Sequence, residues 1–453
     1  MYNEELKGLC EVILKKLENY SLDQYEIYGL STDQLLVIVE KNSIKDFARC
    51  IDTGFSIRVV KDKRLGFAHS TEFSEKDVDS LIKKAIKFTI MGQPDVDFKE
   101  FPRPKKYDTI SNLLDKKLLN ITPETAIEGL KLLIDSAKIN NKVYSIGAEY
   151  RISVFHEVIM NSNGVFGSSA HSEVDISCSI TTKDGNKTGS GFDFQSSRFL
   201  KEVNPEKIGS NAATIALQLL NSRKLKTGKM PVIFHPIASH TILGAGIGHG
   251  INAESVQYQR SYLTNKLGEK IFPENLLIVD DGRYIKNNGI PAVGTNIFDA
   301  EGFPTQCTTI AKDGILKSYL HNSYTAHKQG VENTGNAYRA DYSSIPSISA
   351  NNLVFQAGDS GTLDDMINET KEGLYLYYTG DTPNIITGDL SAMVHTGFYI
   401  KNGEIVSGVK NTMVGINMLD LFKNIDMIGS TIETIGTIHV PFIRISEMKI
   451  SGK

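Results

Sequence analysis

The sequence contains few cysteines and no CxxC pair. Its four cysteines, Cys10, Cys50, Cys178 and Cys307, are far apart. A disulfide framework and a zinc ribbon both require cysteines at short, regular spacings. The sequence therefore predicts neither kind of fold.

An excess of basic charge and long apolar runs are also missing. The 49 Lys and Arg residues face 53 Asp and Glu residues, which gives a net charge of -4 and no basic field for nucleic acid. No apolar run approaches the roughly 20 residues of a membrane helix. Residues 1–5 (MYNEE) are polar and acidic, unlike a signal peptide. We therefore expect a cytoplasmic protein with neither a nucleic-acid partner nor a membrane partner.

The first half of the chain shows the periodicities of both helices and strands. Ser74, followed by Asp77, resembles a capping box at a helix start. A turn at residues 161–164 (NSNG) favours a hairpin. Residues 94–120 contain three prolines and many charges and are expected to form an exposed crossing segment. The patterns predict helices over residues 6–17, 123–139 and 205–220, and strands over residues 24–31, 35–41, 55–60, 65–70, 143–151, 153–160 and 164–182.

The second half is rich in glycine and in short strand patterns. It begins after a polar, basic stretch at residues 221–229. Strands are predicted over residues 276–279, 314–320, 374–378, 397–400 and 438–445, and helices over residues 238–250, 363–371 and 417–425. We predict an α+β fold with two domains: a mixed domain over residues 1–221, and a β-rich domain over residues 222–453 that forms the groove and any metal site.

Two histidines follow an apolar strand in the second half. His235 and His240 are five residues apart, and Pro236 suits the first position of a helix. On a regular helix this spacing separates the two side chains by about 140°, so a shared metal requires His235 to lie just before the helix. A metallohydrolase also needs a carboxylate that takes a proton from metal-bound water, and Pro236 has none. The alternative is that both are polar histidines at a helix start.

Two further histidines are candidates for the same site. His439 and His395 both lie in strand-like segments of the second half. Three protein ligands and one open position define a catalytic zinc, so either residue could complete a site with His235 and His240. The alternative for each is a structural role within its strand.

Several short motifs, taken in order, resemble those of the TldD/PmbA family, formerly described as modulators of DNA gyrase. No single motif is specific, but their order and spacing together are. They include residues 54–60 (GFSIRVV), 299–305 (DAEGFPT), 312–316 (KDGIL), 386–391 (ITGDLS), 397–405 (GFYIKNGEI) and 447–452 (EMKISG). By this resemblance, which covers nearly the whole chain, the sequence is identified as a member of that family.

The resemblance implies one of two kinds of subunit. The TldD type carries HExxxH and a later cysteine, which bind a catalytic metal, zinc in the family. The PmbA type, also called TldE, lacks this set and pairs with TldD. Here His235 and His240 fall on the two motif histidines, Pro236 replaces the general-base glutamate, and no cysteine follows Cys307. The resemblance implies a PmbA/TldE-like subunit without a complete metal site, and no catalytic residue is assigned.

The expected partners follow from the same resemblance. They are a TldD-type subunit in a heterodimer, or a second copy in a homodimer, with unfolded or short peptides as substrates. One alternative is a self-sufficient metallopeptidase that uses His235, His240 and a third ligand other than cysteine. Another, from a different class, is a non-catalytic binding or regulatory protein.

Overall fold

A computed structural model describes residues 2–452 of the chain, of which 24% are helical and 39% lie in strands. Both halves contain helices and strands. The predicted α+β class is confirmed.

The first half is built on one antiparallel sheet of six strands. Its spatial order is β3-β2-β1-β4-β5-β6, so every neighbouring pair is a hairpin except β1 and β4. The strands are β1 (Gln24–Glu40), β2 (Ser43–Lys61), β3 (Arg64–Ser70), β4 (Val143–Asn161), β5 (Phe166–Asp184) and β6 (Lys187–Ser197).

Four helices cover one face of this sheet. Side chains alternate between the faces of a strand, and in β1 the buried Ile27 packs with two of the helices while Leu35 packs with the other two. Tyr28 and Leu30 point the other way and pack against Phe298 of the second half. We call these two sides the helix face and the groove face. The helices are α1 (Tyr2–Leu17), α2 (Glu75–Met91), α3 (Pro123–Ala137) and α4 (Pro205–Gln218).

Two glycines let α4 lie directly on strand β6. A Cβ atom built on Gly191 would lie 1.9 Å from the carbonyl oxygen of Ala212, and one on Gly189 would lie 2.1 Å from that of Ala216. Real side-chain carbons do not approach oxygen so closely, so only glycine fits at either position. The closeness of the helix to the sheet therefore depends on this pair.

The second half contains two larger sheets. One has six strands in the order β10-β9-β8-β13-β21-β20, and the other has eight, with the path β15-β18-β22-β7-β14-β16-β17 and β19 beside β22. Strands β11 and β12 form a separate pair. The strands are β7 (Gly228–Phe234), β8 (Ile278–Asp281), β9 (Cys307–Lys312), β10 (Ile315–Leu316), β11 (Ala337–Tyr338), β12 (Ser347–Ile348), β13 (Leu353–Phe355), β14 (Glu372–Tyr378), β15 (Asp389–Met393), β16 (Thr396–Lys401), β17 (Glu404–Gly408), β18 (Met413–Asn417), β19 (Ile425–Ile428), β20 (Glu433–Ile435), β21 (Ile438–Val440) and β22 (Ile443–Ser451).

The helices of the second half are short. The first two are separated by a π-helical turn over His240–Gly244. The helices are α5 (Pro236–Ser239), α6 (Ala245–Gly250), α7 (Ala253–Gln257), α8 (Ser323–Gln329), α9 (Leu363–Asn368) and α10 (Met418–Lys423).

The two halves meet through four buried charged side chains, which we call the buried charge network: Glu26, Arg58, Glu301 and Arg339. The Arg58 guanidinium donates to both oxygens of Glu26, at 2.8 and 2.6 Å, and to Glu301 at 3.1 Å. Arg339 also donates to Glu26. Two carboxylates thus balance two guanidinium groups, and each half contributes one carboxylate and one guanidinium group.

Local sequence patterns correctly predict most helices and strands of the first half, but they predict two breaks where a strand is in fact continuous. The hairpin over residues 55–70 is confirmed, and the Ser74 hydroxyl accepts the Asp77 N–H at the start of α2 as predicted. The predicted separation of residues 24–31 from 35–41 is wrong, because β1 runs unbroken and pairs with a neighbour on each side. The separation of residues 143–151 from 153–160 is wrong for the same reason, since β4 also pairs on both sides.

Three further predictions, one about exposure and two about strand bounds, are corrected by the structure. The segment 94–120 is not wholly exposed: Phe101 and Leu118 are each 1% exposed. The strand predicted over 438–445 divides into β21 and β22 around Pro441, which has no N–H for a strand ladder. Only two residues of the segment 314–320 pair as a strand.

Every strand of the first sheet lies within residues 24–197, and the strands of the other sheets lie within residues 228–451. The division into domains at residues 221 and 222 stays a prediction. Within residues 2–452, no helix has the length and apolar character that crossing a membrane requires.

Candidate functional site

His235 lies at the junction between strand β7 and helix α5. Its own backbone is extended, and Pro236 occupies the first helical position. The ring nitrogen Nδ1 accepts the backbone N–H of Ile237 at 3.1 Å. His235 is therefore the N-cap of the helix, and the one acceptor lone pair of its neutral ring, on Nδ1, is already used.

Aromatic side chains surround the His235 ring. It stacks on Tyr377 with ring centroids 4.0 Å apart, and the edge of Phe442 lies 5.5 Å away. Burial lowers the pKa of His235 to about 3, because the ring loses the water that would stabilise its charged form. The imidazole is therefore neutral at physiological pH.

His240 begins the π-helical turn and faces a different environment. A Cβ atom built on Gly436 would lie 3.7 Å from His240 Nε2, so this ring lies beside the turn between β20 and β21. Burial lowers the pKa of His240 as well. Short π segments inside helices often mark functional positions. Here the turn places His240, but not His235, on the walls of two cavities.

The other two candidate histidines also have separate surroundings. His439 is fully buried, and its Nδ1 and Nε2 form hydrogen bonds with Thr434 at 3.0 Å and Asn352 at 3.3 Å. Both ring nitrogens are thus engaged, as in a structural histidine. His395 is exposed, with its ring 5.8 Å from that of Tyr378.

A metal ion needs several converging ligands, and the described residues do not provide them. Among residues 2–452, no three or more His, Cys, Asp or Glu side chains are grouped so that they could hold an ion. A catalytic zinc takes three protein ligands. The described side chains around His235 and His240 therefore do not form the three-ligand set that a catalytic zinc requires. The assignment of these two histidines alone as metal ligands stays a prediction.

A groove lies between the groove face of the first sheet and the helical segment that begins at Pro236. Its main cavity has a volume of about 630 Å³. Two smaller cavities of about 280 and 340 Å³ adjoin it: one shares His240 and Thr241, and the other shares Phe155 and Glu173. The groove thus runs along the contact between the two halves of the chain.

Charged side chains from strands β4 and β5 line the sheet wall of the main cavity. They are Glu149, Arg151, Glu173 and Asp175. Burial raises the pKa of Glu173 to about 7, and the nearby Asp175 adds to this effect. Burial also raises the pKa of Asp175, although a hydrogen bond from Ser196 opposes the shift. Carboxyl groups with raised pKa values in a cleft are typical of binding and catalytic sites.

The pKa of Glu173 predicts a pH-dependent change in stability. The folded protein holds the Glu173 proton up to about pH 7, whereas the unfolded chain loses it near the ordinary value of 4.5. This contribution to stability is present below pH 4.5 and is lost as the pH rises through 7. In Glu173→Gln we expect a change below about 1 kcal/mol at pH 5 and a gain of about 3 kcal/mol over wild type at pH 8. Urea unfolding between pH 5 and 8 measures this difference, and a difference independent of pH would contradict it.

Sequence reasoning missed these groove residues. The available signal was the alternation of polar and apolar residues along β4 and β5, where Glu173 and Asp175 alternate with the buried Val174 and Ile176. Such alternation indicates that one face of a strand is polar. It does not indicate that a segment from the other half of the chain covers that face.

Comparison with known proteins relates the whole chain to one family. Residues 25–88, 116–220 and 227–452 match domain 1, the central domain and the C-terminal domain of the PmbA/TldA metallopeptidases. The chain is 27% identical to the metalloprotease PmbA of Escherichia coli O157:H7, over 95% of this chain and 93% of that protein. It is also 27% identical to a TldD metalloprotease homologue of Haemophilus influenzae, over 92% and 87%.

The fold agrees with these matches. The crystal structure of TldE from Thermococcus kodakarensis superposes with a TM-score of 0.89 at 23% identity, covering 98% of this chain and all of that one. Family relatives named as metalloproteases imply a metal in the family. With three consecutive domains matched, the chain belongs to the PmbA/TldD metallopeptidase family.

Proposed function

We propose that this chain is the PmbA/TldE-like subunit of a cytoplasmic, dimeric metalloprotease that cleaves unfolded or short peptides. In this proposal the chain has no complete metal site of its own, and a TldD-type partner supplies the catalytic metal. The identity to PmbA-named and TldD-named relatives is the same, 27%, so overall similarity does not favour either type. The local geometry at the two histidines carries the proposal.

The strongest support for the proposal comes from Pro236. It stands between the two histidines and fixes the first turn of α5, where it has no group that could take a proton. The capping bond from Ile237 to His235 Nδ1 supports the same conclusion, because the histidine stabilises the helix start. Pro236 and His235 therefore each have a structural explanation that needs no metal.

The groove supports a function in peptide binding for such a subunit. It is open along the contact between the halves, and polar and aromatic side chains line it. An extended peptide fits a groove of this kind, whereas a folded protein is excluded by its size. The chain would then hold peptide substrates while its partner cleaves them.

The test is to purify the chain without a histidine tag and measure its metal content and peptide cleavage, alone and after adding a TldD-type chain. We expect no stoichiometric metal and no cleavage alone, and cleavage after mixing. Losing a positioned general base costs about 10²–10⁴-fold in rate, so activity of the chain alone should lie at least that far below the mixture.

Two other outcomes would contradict the proposal. Stoichiometric zinc that is lost in both His235→Ala and His240→Ala, with chelator-sensitive cleavage by the chain alone, would establish the self-sufficient metallopeptidase. No cleavage in the mixture, together with salt-sensitive binding to duplex DNA, would favour the regulatory alternative.

A further inference from the structure

The main cavity of the groove has two walls of different character. Strands β1, β4, β5 and β6 of the first half form the sheet wall. Ile237, His240, Thr241 and Tyr378 of the second half form the opposite wall. At about 630 Å³ the cavity has room for a long side chain together with part of the backbone that carries it.

The sheet wall carries more negative than positive charge. Arg151 donates to its neighbour Glu149 and forms an ion pair with it. Asp175 has one hydrogen bond, from the hydroxyl of Ser196. Within residues 2–452 no hydrogen bond or ion pair reaches the Glu173 carboxylate. Two carboxylates of this wall thus lack a cation in direct contact.

Arg198, the other cation that acts on Glu173, does not fill this role. Arg198 is buried, and its guanidinium donates to the backbone carbonyls of Ala292, Val293 and Thr295 in the second half. It acts on Glu173 only through its electric field. A buried carboxylate without a contacting cation is costly to ionise, so a cationic guest would be favoured at this position.

Unpartnered polar atoms lie along the same groove. Arg151 Nε is buried without a hydrogen-bond acceptor. In the adjoining cavity of about 340 Å³, His171 Nδ1 and Asn296 Oδ1 are also buried and unpartnered. Buried polar atoms are normally hydrogen bonded. The N–H and C=O groups of a bound peptide could donate hydrogen bonds to these atoms or accept hydrogen bonds from them.

Aromatic rings provide the apolar part of the cavity. Phe192 stacks on Tyr378 across the two walls, with ring centroids 5.3 Å apart, and Phe194 lies 5.7 Å from Phe192. Lysine and arginine bury their methylene stems on such surfaces while their charged ends reach polar groups. Cations are also attracted to the faces of aromatic rings.

We propose that this cavity is a subsite for a lysine or arginine side chain of an extended peptide, whose charged end contacts Glu173 and Asp175 and whose stem packs on Phe192 and Phe194. This inference rests on the proposed function, because it names which peptides the groove prefers. With this subsite, the subunit helps to select which peptides are cleaved.

The binding should tighten as the pH rises from 6 to 8. The ordinary pKa of a lysine or arginine side chain lies well above this range, so the guest stays charged. Glu173 ionises within it, since burial raises its pKa to about 7. Charged or titratable groups that face or act on the carboxylates of Glu173 and Asp175 lie on several elements: Glu149, Arg151 and Glu157 on β4, His171 on β5, His240 on the helical segment, Tyr378 on β14, and the buried Arg198 after β6.

The experiment uses the full chain and three decapeptides that differ only at a central lysine, norleucine or glutamate. Both ends of each peptide are blocked, and binding is measured by calorimetry at pH 8. We expect the lysine peptide to bind about tenfold more tightly than the norleucine peptide, as for a hydrogen bond to a charged group. In Glu173→Gln combined with Asp175→Asn this ratio should fall to about one.

The matched control is Asp184→Asn. Asp184 lies at the exposed end of the same strand β5, outside the cavity, and pairs with Lys142. This variant should keep the tenfold preference. Thermal melting of each variant checks that it is folded, and an unblocked norleucine peptide tests whether a terminal ammonium group can replace the side chain.

The outcomes separate this inference from the proposed function. Equal binding of the three peptides overturns the inference and leaves the peptide-binding subunit intact. A lysine preference that survives in the double variant also overturns it. Absence of binding by any peptide overturns the groove assignment, and the inference with it.

Discussion

Replacing Glu26 with glutamine is expected to lower the free energy of unfolding by about 3–5 kcal/mol. Glu26 is 1% exposed and accepts hydrogen bonds from both Arg58 and Arg339. Burial alone would raise its pKa, but the two guanidinium groups outweigh this effect and hold the pKa below its ordinary value. Without the charge of Glu26, two buried cations would face each other with only Glu301 to balance them.

Glu40→Gln is the matched control for this measurement. Glu40 lies on the same strand and also pairs with a cation, Lys45, but both side chains are more than half exposed. Exposed pairs contribute little, so we expect a change below about 1 kcal/mol. Urea unfolding at pH 7, followed by circular dichroism, compares the two variants. A loss in Glu26→Gln no larger than that of the control would show that the network does not stabilise the contact.

Gly191→Ala is expected to lower the free energy of unfolding by about 3 kcal/mol. The added methyl group would lie 1.9 Å from the Ala212 carbonyl oxygen, and the obstacle is helix backbone, which no rotamer change can move. Helix α4 must therefore shift away from β6, and the packing of its apolar face on the sheet is lost in part. Thermal and urea unfolding both measure this effect.

Gly228→Ala serves as the comparison for this change. Gly228 also lies in a strand, but among the described residues no heavy atom beyond Gly228 and its two chain neighbours lies within 4 Å of a Cβ atom built there. Its stability should stay within about 0.5 kcal/mol of wild type. If both glycine variants lost the same stability, the cause would be the loss of glycine itself and not the contact with α4.

The limits of sequence reasoning are clear in strand β1. Its apolar alternation was recognisable on both sides of Thr32-Asp33-Gln34, but these polar residues suggested a break between two strands. The strand continues because its backbone groups are paired with β2 and β4, and the partners in β4 are more than a hundred residues away in the sequence. Only the folded chain brings that ladder together.

The candidate site shows a similar limit. The sequence identified His235, His240 and the helix start between them, since strand ends and Pro at a first helical position have local signatures. It could not give the direction of the His235 ring, which depends on Tyr377 and Phe442. The groove depends on a sheet from one half meeting a helix from the other, and no local pattern contains that contact.

The buried charge network also bears on how the chain is made. Glu26 and Arg339 are 313 residues apart, so at about 5–20 residues per second Arg339 leaves the ribosome about 15–60 s after Glu26. During this interval Glu26 already has Arg58 on the neighbouring strand, so the nascent first sheet holds a neutral pair. Glu301 and Arg339 likewise emerge as one anion and one cation. Each half therefore brings to the contact between the halves one anion and one cation of the network. The late synthesis of the second half leaves neither Glu26 nor Arg58 buried without an opposite charge.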